Sequence, residues 1–197
     1  MKAEMKKIIA TVLAALVCFG AFAQDKEYQA SYFGIKSNGI IDNTTSIQKA
    51  IDFIAEKGGG TLTFCVGRYV TGAVYLKSGV NIRLDAAADI IGSENIHDYK
   101  GQKAIFNAIG VENVKVYATR GNGVVDGRAP LVLKSYEDQK AKGFIGADTP
   151  VPTLFYFENC KGIVLDKVLY RNPATPGKFY ESVNSEISVT GCFTDTH

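Results

Sequence analysis

The sequence predicts an all-β solenoid whose first coil is plugged by a single α-helix. Three observations lead there. Ile47, Ala50, Ile51 and Ile54 fall at i, i+3, i+4 and i+7, one apolar helical face, and the pattern stops at Gly58-Gly59-Gly60. Short segments rich in β-branched and aromatic residues follow, bounded by Gly, Ser or Asn and with no helices between them, which argues against a doubly wound α/β sheet. Apolar segments then recur further along the chain at related offsets.

The chain opens on a segment that is not expected to belong to the fold. Lys2, Lys6 and Lys7 precede an apolar run from Ile8 to Phe22, and Ala21-Phe22-Ala23 has the small-x-small form of a signal peptidase site. Residues 1–23 therefore read as a signal peptide, cleaved after Ala23, and residues 24–197 as one partial solenoid domain. The run is too short and too early to favour a membrane span. Secretion or export to a periplasm follows.

Without the leader, whose charges are Lys2, Lys6, Lys7 and Glu4, the 22 Lys+Arg and 20 Asp+Glu of the full chain become 19 of each. A neutral chain lacks the basic footprint of a nucleic-acid binder. Cys65, Cys160 and Cys192 are the cysteines beyond Cys18, with no C-x-x-C spacing, so neither a disulfide framework nor a zinc site is expected. The composition is 46% hydrophobic, enough to build a core.

Taken in order, the elements begin with the helix. Thr45 and Gln48 stand in the S/T-x-x-E/Q relation of a capping box. Its apolar face is expected to cover the first coil. Strands are predicted at 61–67, 69–76 and 80–84. The segment around Phe106 and Val114 resembles that around Phe155 and Ile163 at an offset of 49, and Ile163 onward resembles Ile187 onward at 24. The offset of 49 reads as two turns of a unit near 24, within the ~20–45 residues of solenoid repeats. Arg128 to Pro152 breaks the rhythm and reads as a loop inserted between coils, with a short helical turn.

At this point the residues resemble a known family. Phe33-Gly34, the helix ending in Gly58-Gly59-Gly60-Thr61, Gly67-Arg68-Tyr69-Val70-Thr71-Gly72, the run from Leu76 to Leu84 and Gly123-Val124-Val125-Asp126-Gly127 look like the N-terminal part of glycoside hydrolase family 28, the polygalacturonase-like members of the pectin lyase-like superfamily. The resemblance covers most of Tyr32 to Asn172. It implies a right-handed parallel β-helix and, in intact relatives, inverting hydrolysis of pectic polysaccharide, galacturonan or rhamnogalacturonan. Inversion sets a general acid and a water-activating base roughly 6.5–9.5 Å apart. The motifs that carry this in the family are Asn-x-Asp, Asp-Asp, Gly-His-Gly and Arg-x-Lys, and none occurs in this sequence. Val189 to His197 resembles the coil just before the first of them, so the chain is expected to be C-terminally truncated, inactive alone, and open to self-association through an uncapped last coil. From Pro173 to Ser185 the resemblance is poor.

The tempting residues carry little chemistry on this reading. Asp195 and His197 sit two apart, facing one side of a strand, with no nucleophile beside them. His97 reads as a surface residue and Asp126, next to Gly127, as a turn residue. Asp85 and Asp89 fall short of the 6–8 oxygen ligands calcium takes. No catalytic, cofactor-binding or metal-ligating residue is assigned. Two rival readings remain: a non-catalytic carbohydrate-binding or structural β-helix, and a polysaccharide lyase of the same superfamily.

Overall fold

A computed structural model describes residues 26–195 except 121, 122 and 176. The leader expectation and His197 fall outside those residues. The chain winds as a right-handed parallel β-helix with three sheets. Sheet A stacks β1 (Glu27–Gln29), β3 (Gly60–Phe64), β6 (Val80–Leu84), β9 (Glu112–Ala118), β12 (Lys161–Asp166) and β15 (Ile187–Thr190). Sheet B stacks β2 (Asn38–Asp42), β4 (Gly67–Thr71), β7 (Ala88–Gly92), β10 (Gly123–Asp126), β13 (Val168–Arg171) and β16 (Phe193–Asp195). Sheet C stacks β5 (Val74–Tyr75), β8 (Ala104–Ile109), β11 (Thr153–Glu158) and β14 (Tyr180–Val183). From β3 onward the strands follow in the order A, B, C, and the first turn has a helix in place of a sheet C strand. Among the described residues no helix is long and apolar enough to cross a membrane.

Alternation explains the strands. In β6, Val80, Ile82 and Leu84 point into the core while Asn81 and Arg83 are half-buried outside. Like residues therefore stack coil on coil, as in the inward ladder Val74, Phe106, Phe155 of sheet C. Phe106 and Phe155 lie 5.4 Å apart, near parallel, and Tyr170 of sheet B meets Phe155 edge-on at 5.6 Å.

The plugging helix, α1, spans Thr44–Glu56 and buries Ile47, Ala50, Ile51 and Ile54. It starts one residue before the predicted capping box, and that box does not form. Asn43 occupies the N-cap and turns its side chain away from the helix: Oδ1 accepts from Lys36 N at 2.7 Å, and Nδ2 donates to the carbonyls of Lys36 and Ile41. Gln48 leaves the helix start altogether. Its Nε2 donates to Tyr75 O at 3.1 Å and its Oε1 accepts from Tyr75 N at 2.7 Å. The first strand of sheet C thus pairs with a helix side chain where a preceding coil would have paired with it.

The repeat reading needs one correction. Along sheet A, neighbouring partners are Glu27 and Thr61, Gly60 and Val80, Ile82 and Val116, Val114 and Ile163, and Ile163 and Ile187, giving coils of 34, 20, 34, 49 and 24 residues. The offset of 49 is one coil, not two. It is swollen by residues 127–152 between β10 and β11, where the expected loop instead contains a 13-residue helix, α2 (Ala129–Ala141). Pro130 in the first turn is compatible with a helix start, but only Val132 is fully buried, so apolar periodicity gave no warning of it. The segment 173–185, poorly matched in sequence, includes β14 in ordinary parallel register with β11.

Candidate carbohydrate groove

From β3 onward the longest connections lie at the corner between sheets B and C, and they build a wall beside sheet C. The connection 93–103 carries a short 3-10 turn, Ile96–Tyr99, and α2 leans on it. Ile96 N donates to Ser135 Oγ at 3.1 Å, and His97 Nε2 lies 3.0 Å from Gln139 Oε1. Tyr136 Oη donates to Thr149 O at 3.1 Å, tying the loop after α2 back to the helix. At the foot of this wall lies the outer face of sheet C.

That face follows directly from the register. Tyr75, Asn107, Tyr156 and Glu181 form one outward ladder, and Ile109, Glu158 and Val183 the next. An open hollow of about 270 Å³ lies over it, lined by Gln102, Lys103, Ile109, Asp148, Tyr156 and Glu158 among others. Lys103 Nζ donates to Tyr156 Oη at 2.8 Å and lies 4.1 Å from the ring centroid. Tyr156 Oη in turn donates to Glu158 Oε2 at 2.7 Å. The bond to Tyr156 is the main reason the Lys103 ammonium is held above its ordinary pKa. A second hollow, about 240 Å³, shares Gln102 and continues towards α1, with Thr44, Gln48, Lys49, Tyr75 and Lys100 around it.

Asn107 and Tyr156 are buried at the base of the groove, and Tyr75 is its exposed ring; with the ammonium groups and carboxylates around it, such a surface can stack on the apolar face of a sugar and bond its hydroxyls or acid group. Glu158 is already committed to Tyr156. A larger hollow of about 480 Å³ opens at the corner between sheets A and B, by Cys65, Asp85 and Arg120. Its Arg83 is already tied to Glu27 at 2.8 Å and Asp85 at 3.0 Å.

The residues singled out from sequence lie elsewhere. Asp195 is in β16 on the outer face of sheet B, 3.3 Å from Arg171 Nε. His97 is exposed on the wall. Asp126 closes β10, its Oδ1 accepting from Arg128 N at 2.8 Å and Asn172 Nδ2 at 3.2 Å, as a turn residue would. Asp85 is held by Arg83 in the corner after β6, and Asp89 lies on sheet B. Sequence reasoning passed over Tyr75, Lys103, Tyr156 and Glu158. The alternation Phe155-Tyr156-Phe157-Glu158 was the available signal, since apolar residues facing in force the polar ones out.

No family model matches the chain. A curated exo-poly-alpha-D-galacturonosidase of Dickeya chrysanthemi is 34% identical over 87 residues, covering 44% of this chain and 14% of that protein. A provisionally designated glycosyl hydrolase of Parabacteroides merdae, known from its crystal structure, is 32% identical, with 86% of each chain covered and a TM-score of 0.76. A family 28 exopolygalacturonase of Yersinia enterocolitica shares the fold at 20% identity and a TM-score of 0.74, over 89% of this chain and 40% of its own. The chain thus spans a small part of the curated relative and less than half of the Yersinia enzyme.

Proposed function

Since the chain belongs to the family 28-like glycoside hydrolases of the pectin lyase-like superfamily, we propose that the outer face of sheet C is a groove for pectic polysaccharide, a galacturonan or rhamnogalacturonan. The observation that carries this is the continuity of the two hollows through Gln102, with Tyr75 in one and the Lys103–Tyr156–Glu158 chain in the other. The Dickeya and Yersinia relatives, named for action on galacturonate polymers, support the substrate class.

The groove is read as binding without cleaving. Inverting hydrolysis needs an acid and a water-activating base across the scissile bond, and the sequence lacks all four motifs that hold them in the family. Purified protein should retain polygalacturonate in affinity electrophoresis and release no reducing ends from it. Sustained reducing-end release would overturn the non-hydrolytic reading, and loss of all retention would overturn the groove. The protein is also read as exported, and N-terminal sequencing of the exported form should begin at Gln24.

A further inference from the structure

The groove changes sign along its length. At the end near α1 its ionisable side chains are Lys49 and Lys100. Lys103 follows three residues after Lys100 in the same connection, and beyond it come Asp148 and Glu158. Among the described residues, Lys49 and Lys100 make no ion pair, whereas Lys77 nearby is held by Asp52 at 2.8 Å. Lys100 also takes a left-handed backbone conformation, φ +50°, which a residue with a β-carbon adopts at a cost. Tyr75 lines the same hollow and is 38% exposed. Its backbone is clamped on both sides by Gln48, so the surface it offers is fixed before any ligand arrives.

We propose that this hollow is an anchoring subsite for one carboxylate-bearing sugar, with Tyr75 as the stacking platform and Lys49 and Lys100 as the acid-reading groups. It rests on the carbohydrate reading of the groove. A hollow of about 240 Å³ is below the ~300–1,000 Å³ of sites that enclose drug-sized ligands, which suits a single ring of a longer chain. An unpaired ammonium facing a carboxylate supplies a charge-assisted bond, stronger than a neutral one and weakened by salt. Further along, the carboxylates of Asp148 and Glu158 stand beside the ammonium of Lys103, so the uncompensated positive charge lies at one end and gives the groove a direction. Acidic sugars sit at the helix end.

Titration calorimetry of the full chain with trigalacturonate and with its carboxyl-reduced counterpart tests this. Wild type should prefer the acidic trimer by about tenfold at low salt, a difference of roughly 1.4 kcal/mol, and the preference should shrink as salt is added. The Lys49→Gln/Lys100→Gln double variant should lose that preference while binding the neutral trimer as wild type does. Tyr75→Ala should weaken both ligands, with an unchanged melting temperature reporting an intact fold. If the double variant keeps its preference while Tyr156→Ala abolishes binding, the subsite falls and the groove stands. If wild type binds neither trimer, the groove reading fails and takes the subsite with it.

Discussion

At the residue scale, the corners are written in left-handed residues stacked coil over coil. Gly110, Asn159 and Asn184 occupy equivalent corners after successive strands of sheet C, at φ +63°, +52° and +48°. Asparagine and glycine are the residues that adopt this conformation most readily, so these corners were legible as turns. Their stacking was not, because the spacing between them depends on insertions elsewhere. Charge placement was equally hidden. Asp89 pairs in register with Arg68 on sheet B, yet burial pushes its carboxyl above the ordinary range despite the attraction of Arg171 and Arg68. The folded state therefore holds this proton more tightly than the unfolded chain. Stability from this group is present at acid pH and lost as pH rises through the folded value. Asp89→Asn should raise the melting temperature modestly at pH 7 and match wild type once pH falls below the ordinary aspartate range, as a series of thermal melts would record. A lower melting temperature for the variant at pH 7 would show that the arginines outweigh burial.

At the element scale, α1 combines two roles that the sequence separates poorly. Its buried face was readable from Ile47, Ala50, Ile51 and Ile54, but the partner of Gln48 lies 27 residues away at Tyr75. No local pattern reports such a contact, and the capping-box spacing pointed Gln48 at the wrong neighbour. Gln48→Ala removes both bonds to Tyr75, at about 0.5–1.5 kcal/mol each, and Gln48→Glu keeps the acceptor and loses the donor. Urea unfolding should rank wild type above Gln48→Glu and Gln48→Ala lowest. The aromatic ladder is a firmer support. Phe155 is fully buried against Phe106, Phe157 and Tyr170, so Phe155→Ala should cost about 3–5 kcal/mol through lost contacts and the cavity left behind. The same urea experiment reads it. α2 is the opposite case, with one fully buried side chain and its bonds directed to the 3-10 turn beside it. Replacing residues 130–148 with a short Gly/Ser linker should leave the cooperative transition in place while weakening polygalacturonate retention, because the removed segment walls the groove rather than filling the core.

At the scale of the whole molecule, successive coils of 34, 20, 34, 49 and 24 residues share one cross-section. Strand segments and the helix plug could be read from composition and periodicity, since each obeys a local rule. The coil length could not. Phe106 and Phe155 are direct neighbours, and the 49 residues separating them suggested a missing coil because no single-sequence signal distinguishes an inserted helix from another turn of the solenoid. After the first turn, whose connection of residues 30–37 carries a 3-10 helix, the connections between sheets A and B stay at residues 65–66, 85–87, 119–122, 167 and 191–192. From β3 onward, the long connections fall at the B-to-C corner.

That asymmetry makes the B-to-C corner a port for new parts. A connection that runs from residues 72–73 to residues 127–152 without disturbing the strands around it has already accepted cargo larger than most loops. Gly143 and Gly146, exposed at the far end of α2, make a natural splice point. A circularly permuted fluorescent protein joined there would hang over the groove's rim, where a polymer sliding beneath it becomes a change in light.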